Sequence, residues 1–302
     1  MDRVMEKLSQ ILRSENIRTQ ELLSRHTTFR VGGPADYYVE PQTAEEMAGV
    51  IRACNEENVP YDILGNGSNL LVGDKGYRGV IIALGKCWSN VTVEAAVLRA
   101  GAGALLSAAA RQALAASLTG MEFAAGIPGT IGGAVVMNAG AYGSEMKNVL
   151  TSVTVLTQDG EVKVIPAEEL ELGYRTSCIV RRGYVVLGAE MKLEAGDAEA
   201  IKARMDELAV QRKEKQPLEY PSAGSTFKRP EGYFAGKLIQ DAGLRGFSVG
   251  GAQVSEKHCG FVVNKGDATA ADIMELCRQV QEKVMEQFGV KLEMEVKTLG
   301  EF

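Results

Sequence analysis

Histidine is scarce in this sequence: His26 and His258 are its only two among 302 residues. A zinc site needs several nitrogen, sulfur or carboxylate ligands, and a Ser-His-Asp hydrolase needs a histidine base. The five cysteines are odd in number and never spaced as a CxxC pair, which favours free, buried thiols. The composition therefore predicts chemistry that uses neither a metal nor a histidine.

Positive charge is also in short supply, because 33 lysines and arginines against 39 acids give a formal net charge of -6. A basic field that would attract nucleic acid or an anionic membrane is not expected. The longest uncharged stretch, 123–144, contains Pro128, Asn138 and many glycines, which argue against a membrane helix. The N-terminal residues lack the apolar core of a signal peptide. We expect a cytoplasmic protein without a nucleic-acid, membrane or metal partner.

Glycine is abundant, at 34 of 302 residues, or about 11% against a typical share of roughly 7%. It is concentrated in Gly65–Asn69, directly after a predicted strand, and in the run 125–143, which is too rich in glycine to be predicted as helix or strand. The Rossmann pattern fails because Leu70 replaces its third glycine, and no Walker lysine follows. Two such loops favour a large nucleotide cofactor; a strand-ending turn and close strand crossing are the alternatives.

The remaining pattern predicts an α+β protein of two or three domains. A strand at 35–41 precedes a helix opened by a capping box of Thr43 and Glu46, and a hairpin turns at Asp159-Gly160. A charge-rich helix starts near Ala198, and the linker after it marks a domain boundary. Two further helices and a final strand predict a C-terminal module.

Three segments carry candidate chemistry. Arg175 lies in a polar turn and is the kind of fork that binds a carboxylate or phosphate, although an exposed ion pair is the common alternative. Ser225 follows a glycine and precedes two cations, or else forms an ordinary solvated turn. Glu293 and Glu295 would share one face of the terminal strand. Either one of the two carboxylates points into a cleft, or both lie at a solvated edge of the sheet.

Six segments, in order, resemble the UDP-N-acetylenolpyruvoylglucosamine reductase family, in its shorter (type II) branch. They are TTFRVGGPADYYVEP, LGNGSNLLV, AGIPGTIGGAVVMNAGAYG, YRTS, GSTFKRPEGYFAGKLIQDAGLRG and EMEVKTLGE. The resemblance implies a vanillyl-alcohol-oxidase/PCMH-type FAD-binding fold. Two α/β subdomains (1–85 and 86–200) would hold the cofactor, and an α+β domain (201–302) would hold the substrate.

The resemblance also implies the ligands and their residues. NADPH would reduce non-covalently bound FAD, and UDP-N-acetylglucosamine enolpyruvate would then be reduced to UDP-N-acetylmuramate, a peptidoglycan precursor. Ser225 would donate a proton, with Arg175 and Glu295 as the other catalytic residues and Glu293 as the fallback for Glu295. Substrate binding is assigned to Tyr174, Gly224, Lys228 and Arg229. FAD binding is assigned to Gly65, Asn66, Gly67, Ser68, Asn69, Gly126, Ile127, Pro128, Gly129, Ile131, Gly132, Gly133, Asn138, Gly140 and Ala141.

Two other functions compete with this one. Another PCMH-type FAD oxidase or dehydrogenase would use a base rather than a proton-donating serine. A catalytically silent nucleotide-binding module would bind ligands without turnover, and separation of Arg175, Ser225 and Glu295 in space would favour it. For the reductase we expect a monomer or a weak oligomer.

Overall fold

Helices and strands alternate along most of the chain, and the computed structural model describes residues 3–302. The described helices are α1 (Arg3–Ile11), α2 (Ala44–Glu56), α3 (Leu106–Ala115), α4 (Ile131–Met137), α5 (Cys178–Arg181), α6 (Ala198–Lys215), α7 (Ala235–Asp241) and α8 (Ala270–Phe288). The described strands are β1 (Ile17–Leu22), β2 (Pro34–Val39), β3 (Tyr61–Leu64), β4 (Leu70–Val72), β5 (Tyr77–Ala83), β6 (Val91–Glu94), β7 (Val97–Gly101), β8 (Leu118–Thr119), β9 (Gly140–Ala141), β10 (Ser144–Glu145), β11 (Leu150–Leu156), β12 (Val162–Pro166), β13 (Val185–Lys192), β14 (Glu194–Ala195), β15 (Ser248–Val249), β16 (Ala252–Val254), β17 (Val262–Asn264) and β18 (Lys297–Leu299).

The strands form three larger sheets with the orders β1-β2-β5-β3, β12-β11-β13-β7-β6 and β15-β16-β17. Strands β3 and β5 run parallel, whereas the five-stranded sheet is antiparallel throughout. Smaller pairs join β9 to β10, β8 to β14 and β4 to β18. The mixture of parallel and antiparallel pairs with helices confirms the α+β class.

The chain divides into two compact units. The first contains residues up to 18, together with 37–66 and 80–212. The second contains 19–36, 67–79 and 213–302. Its two N-terminal pieces carry no composition signal, because each is a short stretch inside a continuous strand-and-turn pattern. The division at 85 and 200 from the sequence stays a prediction.

Each unit has its own apolar core. In the first, the five-stranded sheet packs on α3 and α4 around residues such as Leu98 and Ile131, and a second cluster joins α1 and α2 through Leu8 and Met47. In the second, α7 and α8 pack on the three-stranded sheet around Ile239. Burial of these apolar faces is what holds the loops between the elements in place.

Most predicted elements are present, but the capping box at α2 differs in one bond. Thr43 Oγ1 accepts from the Glu46 amide over 3.2 Å, as expected for an N-cap. The Glu46 carboxylate, however, accepts from the Gln42 amide over 2.6 Å rather than from Thr43. Helix α8 carries the reciprocal pair, with Thr269 and Asp272 exchanging both bonds.

Three expectations from the sequence were wrong in part. The run 125–143 is not without helix, because α4 lies inside it and tolerates glycine through tertiary packing. The terminal strand starts only at Lys297; before it, Met294 makes an isolated bridge with Phe227. Four cysteines are buried free thiols, but Cys87 is exposed. Burial raises the pKa of Cys54 to about 11, which keeps that thiol protonated and unreactive.

Candidate functional site

The first glycine loop follows β3, in the first unit, with Gly65 and Asn66. A side chain at position 65 would lie 2.5 Å from Thr130 Oγ1, so only glycine fits there. The Asn66 side-chain amide donates to the Pro128 carbonyl over 2.7 Å. The structure therefore brings the first two residues of the Gly65–Asn69 segment next to the second glycine segment within the first unit.

The second glycine segment is folded against the turn that follows β7. The amides of Ile131 and Gly132 donate to the carbonyls of Ala104 and Ala102, each over 2.8 Å. A Cβ at Gly132 would lie 3.0 Å from that of Ala102, which explains glycine there as close packing. Gly133 donates to Thr130 Oγ1, the N-cap of α4, over 3.5 Å. Glycine at 132 is thus needed for backbone approach rather than for a turn.

Some backbone donors of this segment stay unpaired. Within residues 3–302, the amides of Gly126 and Gly129 donate to no protein acceptor, while the neighbouring amide of Ile127 bonds to Ala124. Unpaired amides on a glycine-rich turn suit an anionic oxygen. Together with the Gly65 loop, they fit the diphosphate of a dinucleotide such as FAD.

Asn138, predicted to bind cofactor, has both ends of its side chain occupied by protein. It is 1% exposed and ends α4 in the left-handed conformation, with φ of 42°. Its Oδ1 accepts from the Lys147 amide over 2.9 Å, and its Nδ2 donates to the Gly173 carbonyl over 3.2 Å. These contacts make Asn138 an anchor for the turn that starts at Gly173, a role the sequence did not indicate.

That turn presents Tyr174 and Arg175 at its tip. Gly173 and Thr176 exchange backbone hydrogen bonds of 3.1 and 3.3 Å across it. Arg175 adopts φ of 55°, a left-handed conformation that is uncommon for a residue with a side chain. Its guanidinium carbon lies 5.4 Å from the Tyr174 ring centroid. The left-handed backbone fixes where this side chain leaves the turn, and such conformations are common at functional sites.

A second side chain holds the far end of this turn. Ser177 is 8% exposed, and its hydroxyl donates to the Val136 carbonyl in α4 over 2.9 Å. Asn138 and Ser177 therefore tie both ends of the Tyr174-Arg175 turn to the same short helix. Their signal in the sequence is weak, because each is a single polar residue in an apolar context.

In the second unit, Ser225 lies on a segment that pairs with the chain before β18. The Glu295 amide donates to the Thr226 carbonyl, and the Lys228 amide donates to the Glu293 carbonyl, both over 2.8 Å. Ser225 is exposed, and Gly224 before it has φ of 77°. The structure thus brings Ser225 and Glu295 onto neighbouring extended segments, as two of the three predicted catalytic residues.

Thr226 fixes this segment from the buried side and was missed in the sequence. It is 0% exposed, its amide donates to the Gly260 carbonyl, and its hydroxyl accepts from the Val262 amide. Both bonds measure 2.9 Å. A threonine that follows a candidate catalytic serine could be predicted equally well as an ordinary turn residue, so a single sequence does not indicate its role.

The two terminal glutamates have different surroundings, contrary to the shared face expected from the sequence. Glu295 is 8% exposed, whereas the Glu293 side chain is 60% exposed and lies 3.2 Å from Lys228 Nζ. The carbonyl of Glu295 accepts from Asn69 Nδ2 over 3.2 Å. Glu295 is therefore the better candidate for a catalytic role away from bulk water. Glu293 is an exposed partner of Lys228.

The rest of the predicted glycine loop also lies in the second unit. A Cβ at Gly67 would come within 2.1 Å of the His26 carbonyl, and the Gly67 carbonyl accepts from the Thr28 amide over 3.2 Å. Gly67 is therefore needed for close packing. Arg229, predicted to bind substrate, has its guanidinium carbon 3.9 Å from the exposed Phe234 ring centroid.

Within residues 3–302, no group of three or more histidine, cysteine, aspartate and glutamate side chains could hold a metal ion. None of the helices described there is long and apolar enough to cross a membrane.

Two family models match the chain. One, described as UDP-N-acetylenolpyruvoylglucosamine reductase, C-terminal domain, matches residues 216–299. The other, described as FAD binding domain, matches residues 35–165. The family model for the FAD binding domain covers both the Gly65 loop and the Gly126 segment, and the geometry of these two regions fits a dinucleotide.

Curated relatives of the same reductase family match this chain over nearly its full length. The UDP-N-acetylenolpyruvoylglucosamine reductase of Agathobacter rectalis is 56% identical over 99% of this chain and 98% of its own. That of Clostridium novyi is 53% identical over 99% of this chain and 97% of its own.

Solved structures agree as well. The reductase of the same name from Thermus caldophilus has a TM-score of 0.82 and 39% identity, over 94% of this chain and 99% of its own. A grass pollen allergen with glucose dehydrogenase activity, Phl p 4, has a TM-score of 0.52 and 13% identity, over 65% and 44% of the two chains. The second likeness concerns the fold alone, and it accords with the PCMH-type architecture expected from the sequence.

Proposed function

Because the chain belongs to the UDP-N-acetylenolpyruvoylglucosamine reductase family and carries an FAD-binding domain, we propose that it reduces UDP-N-acetylglucosamine enolpyruvate to UDP-N-acetylmuramate. NADPH is the proposed hydride donor. The net change adds one hydride and one proton across the enolpyruvyl double bond and converts NADPH to NADP⁺. The observation that carries the proposal is the pairing of the Ser225 segment with Glu295, through the 2.8 Å bond from the Glu295 amide to the Thr226 carbonyl.

FAD is held non-covalently in this proposal, by the glycine-loop residues assigned to it above with the exception of Asn138. The chemistry that bound FAD supplies is carriage of a hydride from the nicotinamide to the terminal carbon of the enolpyruvyl group. The unpaired amides of Gly126 and Gly129 support the assignment, because they can donate to phosphate oxygens. Asn138 contributes indirectly, through the Arg175 turn.

Arg175 stabilises the negative charge that develops on the enolpyruvyl carboxylate as the hydride arrives. A fixed cation placed where charge develops lowers the barrier by several kcal/mol, roughly 3–4 in comparable sites. The anchors at Gly173 and Ser177 hold the backbone of the turn that carries this cation, and the left-handed backbone of Arg175 sets the direction in which the side chain leaves it. Tyr174, Gly224, Lys228 and Arg229 are the proposed substrate-binding residues.

Ser225 donates the proton to the carbon next to the carboxylate. A serine hydroxyl is a weak acid, so the transfer depends on the strong basicity of the carbanion and on nearby positive charge. Glu295 either helps to resupply that proton or shapes the field around Ser225. Its burial keeps its carboxyl group out of bulk water, unlike that of Glu293.

We further propose that the enzyme acts in the cytoplasm as a monomer or weak oligomer, without a metal, nucleic acid or membrane. The net charge of -6 supports the absence of a polyanionic partner.

The test is the visible spectrum of the purified protein during anaerobic addition of NADPH and then of the enolpyruvyl sugar nucleotide. We expect a flavin band that bleaches with NADPH and returns with the substrate. A band that returns only with oxygen would favour a PCMH-type oxidase. Binding of both ligands without any bleaching would favour the silent module.

A further inference from the structure

Arg212 lies in the last turn of α6, beside the second glycine segment. A Cβ built on Gly126 would be 3.1 Å from Arg212 Cδ and 3.4 Å from Nη1. The guanidinium therefore runs along the backbone at Gly126, in space that any other residue there would fill. In the sequence, α6 is predicted only as a charge-rich helix, and no pattern sets Arg212 apart from its other charged residues.

Among the described residues, no acid pairs with Arg212 to balance its charge. Within residues 3–302 it makes no ion pair and no hydrogen bond, whereas Arg204 on the same helix bonds to Glu207 over 2.5 Å. Burial lowers the pKa of Arg212, and the Tyr142 phenol acts weakly in the other direction. A half-buried cation without a counterion is unfavourable until an anion arrives.

The neighbouring groups are also suited to an anion. The Gly126 amide next to the guanidinium has no acceptor among the described residues. Tyr142 heads the tight turn between β9 and β10 with φ of 55°, followed by Gly143 with φ of 86°. A non-glycine residue in that conformation is held under strain, which is typical of ligand clamps. A guanidinium and a free amide, side by side, form a donor pair for one phosphate group.

We propose that Arg212 binds a phosphate of the diphosphate carried by a nucleotide ligand, against the Gly126 backbone. The inference rests on the proposed function, whose cofactor FAD and UDP-sugar substrate both carry a diphosphate. Arg212 is then a binding residue in addition to those assigned from the sequence, and glycine at 126 lets its side chain lie close to the backbone.

The test compares Arg212→Gln and Arg212→Lys with Arg204→Gln, a matched control that removes an exposed, ion-paired arginine from the same helix. FAD is titrated into the flavin-free full-length protein and followed by flavin fluorescence. The enolpyruvyl sugar nucleotide is titrated into the FAD-loaded protein and followed by the flavin spectrum. Loss of a charge-assisted hydrogen bond predicts affinity weaker by about 10- to 100-fold for Arg212→Gln.

The two arms separate the sources of the diphosphate. Weaker FAD binding assigns Arg212 to the cofactor, and normal FAD binding with weaker sugar-nucleotide binding assigns it to the substrate. Arg212→Lys keeps the charge but loses the fork, so its loss is expected to be smaller. The Arg204→Gln protein is expected to bind both ligands like the wild type.

Thermal unfolding separates a binding role from a structural one. If Arg212 waits for an anion, Arg212→Gln leaves the Tm of the flavin-free protein unchanged or raises it, and reduces the rise in Tm that FAD or substrate produces. Unchanged affinity for both ligands would overturn the inference, as would a lower flavin-free Tm without any loss of affinity. A wild-type protein that binds FAD but never reduces the enolpyruvyl substrate would remove the proposed function, while the FAD arm would still decide the role of Arg212.

Discussion

The Arg175 turn and the Ser225 segment are held in place in different ways. Buried side chains anchor the Arg175 turn: Asn138 bonds to Gly173 at one end, and Ser177 bonds to Val136 at the other. The Ser225 segment is held mainly by backbone pairing with the residues around Glu295. A single substitution can therefore release the turn, whereas the segment should tolerate changes of side chain around it.

The largest effect is expected at Ser225 itself, because its hydroxyl carries the chemistry, while Thr226 and Lys228 after it make the backbone pairing. For Ser225→Ala we expect flavin reduction by NADPH at the wild-type rate and reoxidation by the enolpyruvyl substrate slower by about 100- to 10,000-fold. Stopped-flow absorbance at the flavin band measures both halves separately.

Ser222→Ala is the matched control, since it removes a hydroxyl from the same loop. The Ser222 carbonyl, which accepts from Thr28 Oγ1 over 2.6 Å, is unaffected by that change. Equal slowing of both half-reactions by Ser225→Ala would remove Ser225 from the proton-donor role. The Ser225 segment would then differ less from the Arg175 turn than we expect.

The next effect tests the side-chain anchor of the Arg175 turn. Asn138→Asp keeps the acceptor for the Lys147 amide but removes the donor to the Gly173 carbonyl, so the turn loses one end. We expect a loss of about 1–3 kcal/mol in the free energy of unfolding, and slower reoxidation by substrate with little change in reduction by NADPH. Chemical denaturation and the stopped-flow assay measure the two effects.

Asn138→Gly separates the hydrogen bonds from the backbone conformation at this position. Glycine accepts the left-handed φ of 42° without strain but makes neither side-chain bond. If Asn138→Gly reoxidised as fast as the wild type, the anchor would not control Arg175, and the two regions would not differ as argued.

The sequence predicts local features of the fold well, but it does not predict the side-chain contacts between distant residues that hold the Arg175 turn. Periodicity and turn residues predicted the strands on either side of Asp159-Gly160 and the helix from Ala198, because those features are local and repeat along the chain. The resemblance supplied Arg175, Ser225 and Glu295 as candidates. Neither could predict the Asn138 anchor, since its partner Gly173 is 35 residues away and is contacted through a backbone carbonyl, which leaves no mark on residue type.

The glycine run marks a further limit. Glycine density alone argued against a helix at 131–137, yet α4 forms there because Gly132 packs against Ala102 and the helix buries Ile131 and Val135. Tertiary burial outweighed a local cost of roughly 1 kcal/mol per glycine. The assignment of 19–36 and 67–79 to the second unit is likewise a matter of long-range contact.

A smaller effect is expected at Thr226, a buried polar side chain in the Ser225 segment. Thr226→Val conserves shape but leaves the Val262 amide without its acceptor, at a cost of about 1–3 kcal/mol in unfolding free energy. Because the backbone bonds to Gly260 and Glu295 remain, we expect nearly normal rates in both half-reactions. Thr226→Ser retains the hydroxyl and serves as the control; a slowed reoxidation in Thr226→Val alone would mean that the segment also depends on its side chains.

The smallest effect is a pH dependence in the loop behind that segment. Burial lowers the pKa of His258, whose Nδ1 accepts from the Gly260 amide over 3.1 Å, and the Gly260 carbonyl in turn accepts from Thr226. A histidine held neutral stabilises the fold above its ordinary pKa of about 6.5, and that stability is lost as the pH falls through this value towards the lower folded pKa. His258→Asn removes the titration, so its unfolding free energy, measured by denaturation between pH 7.5 and 5, should fall less steeply than that of the wild type.

His26→Asn is the control, since His26 pairs with Glu21 elsewhere in the second unit. Parallel pH profiles for His258→Asn and the wild type would show that the protonation of His258 does not affect the stability of the loop behind the Ser225 segment.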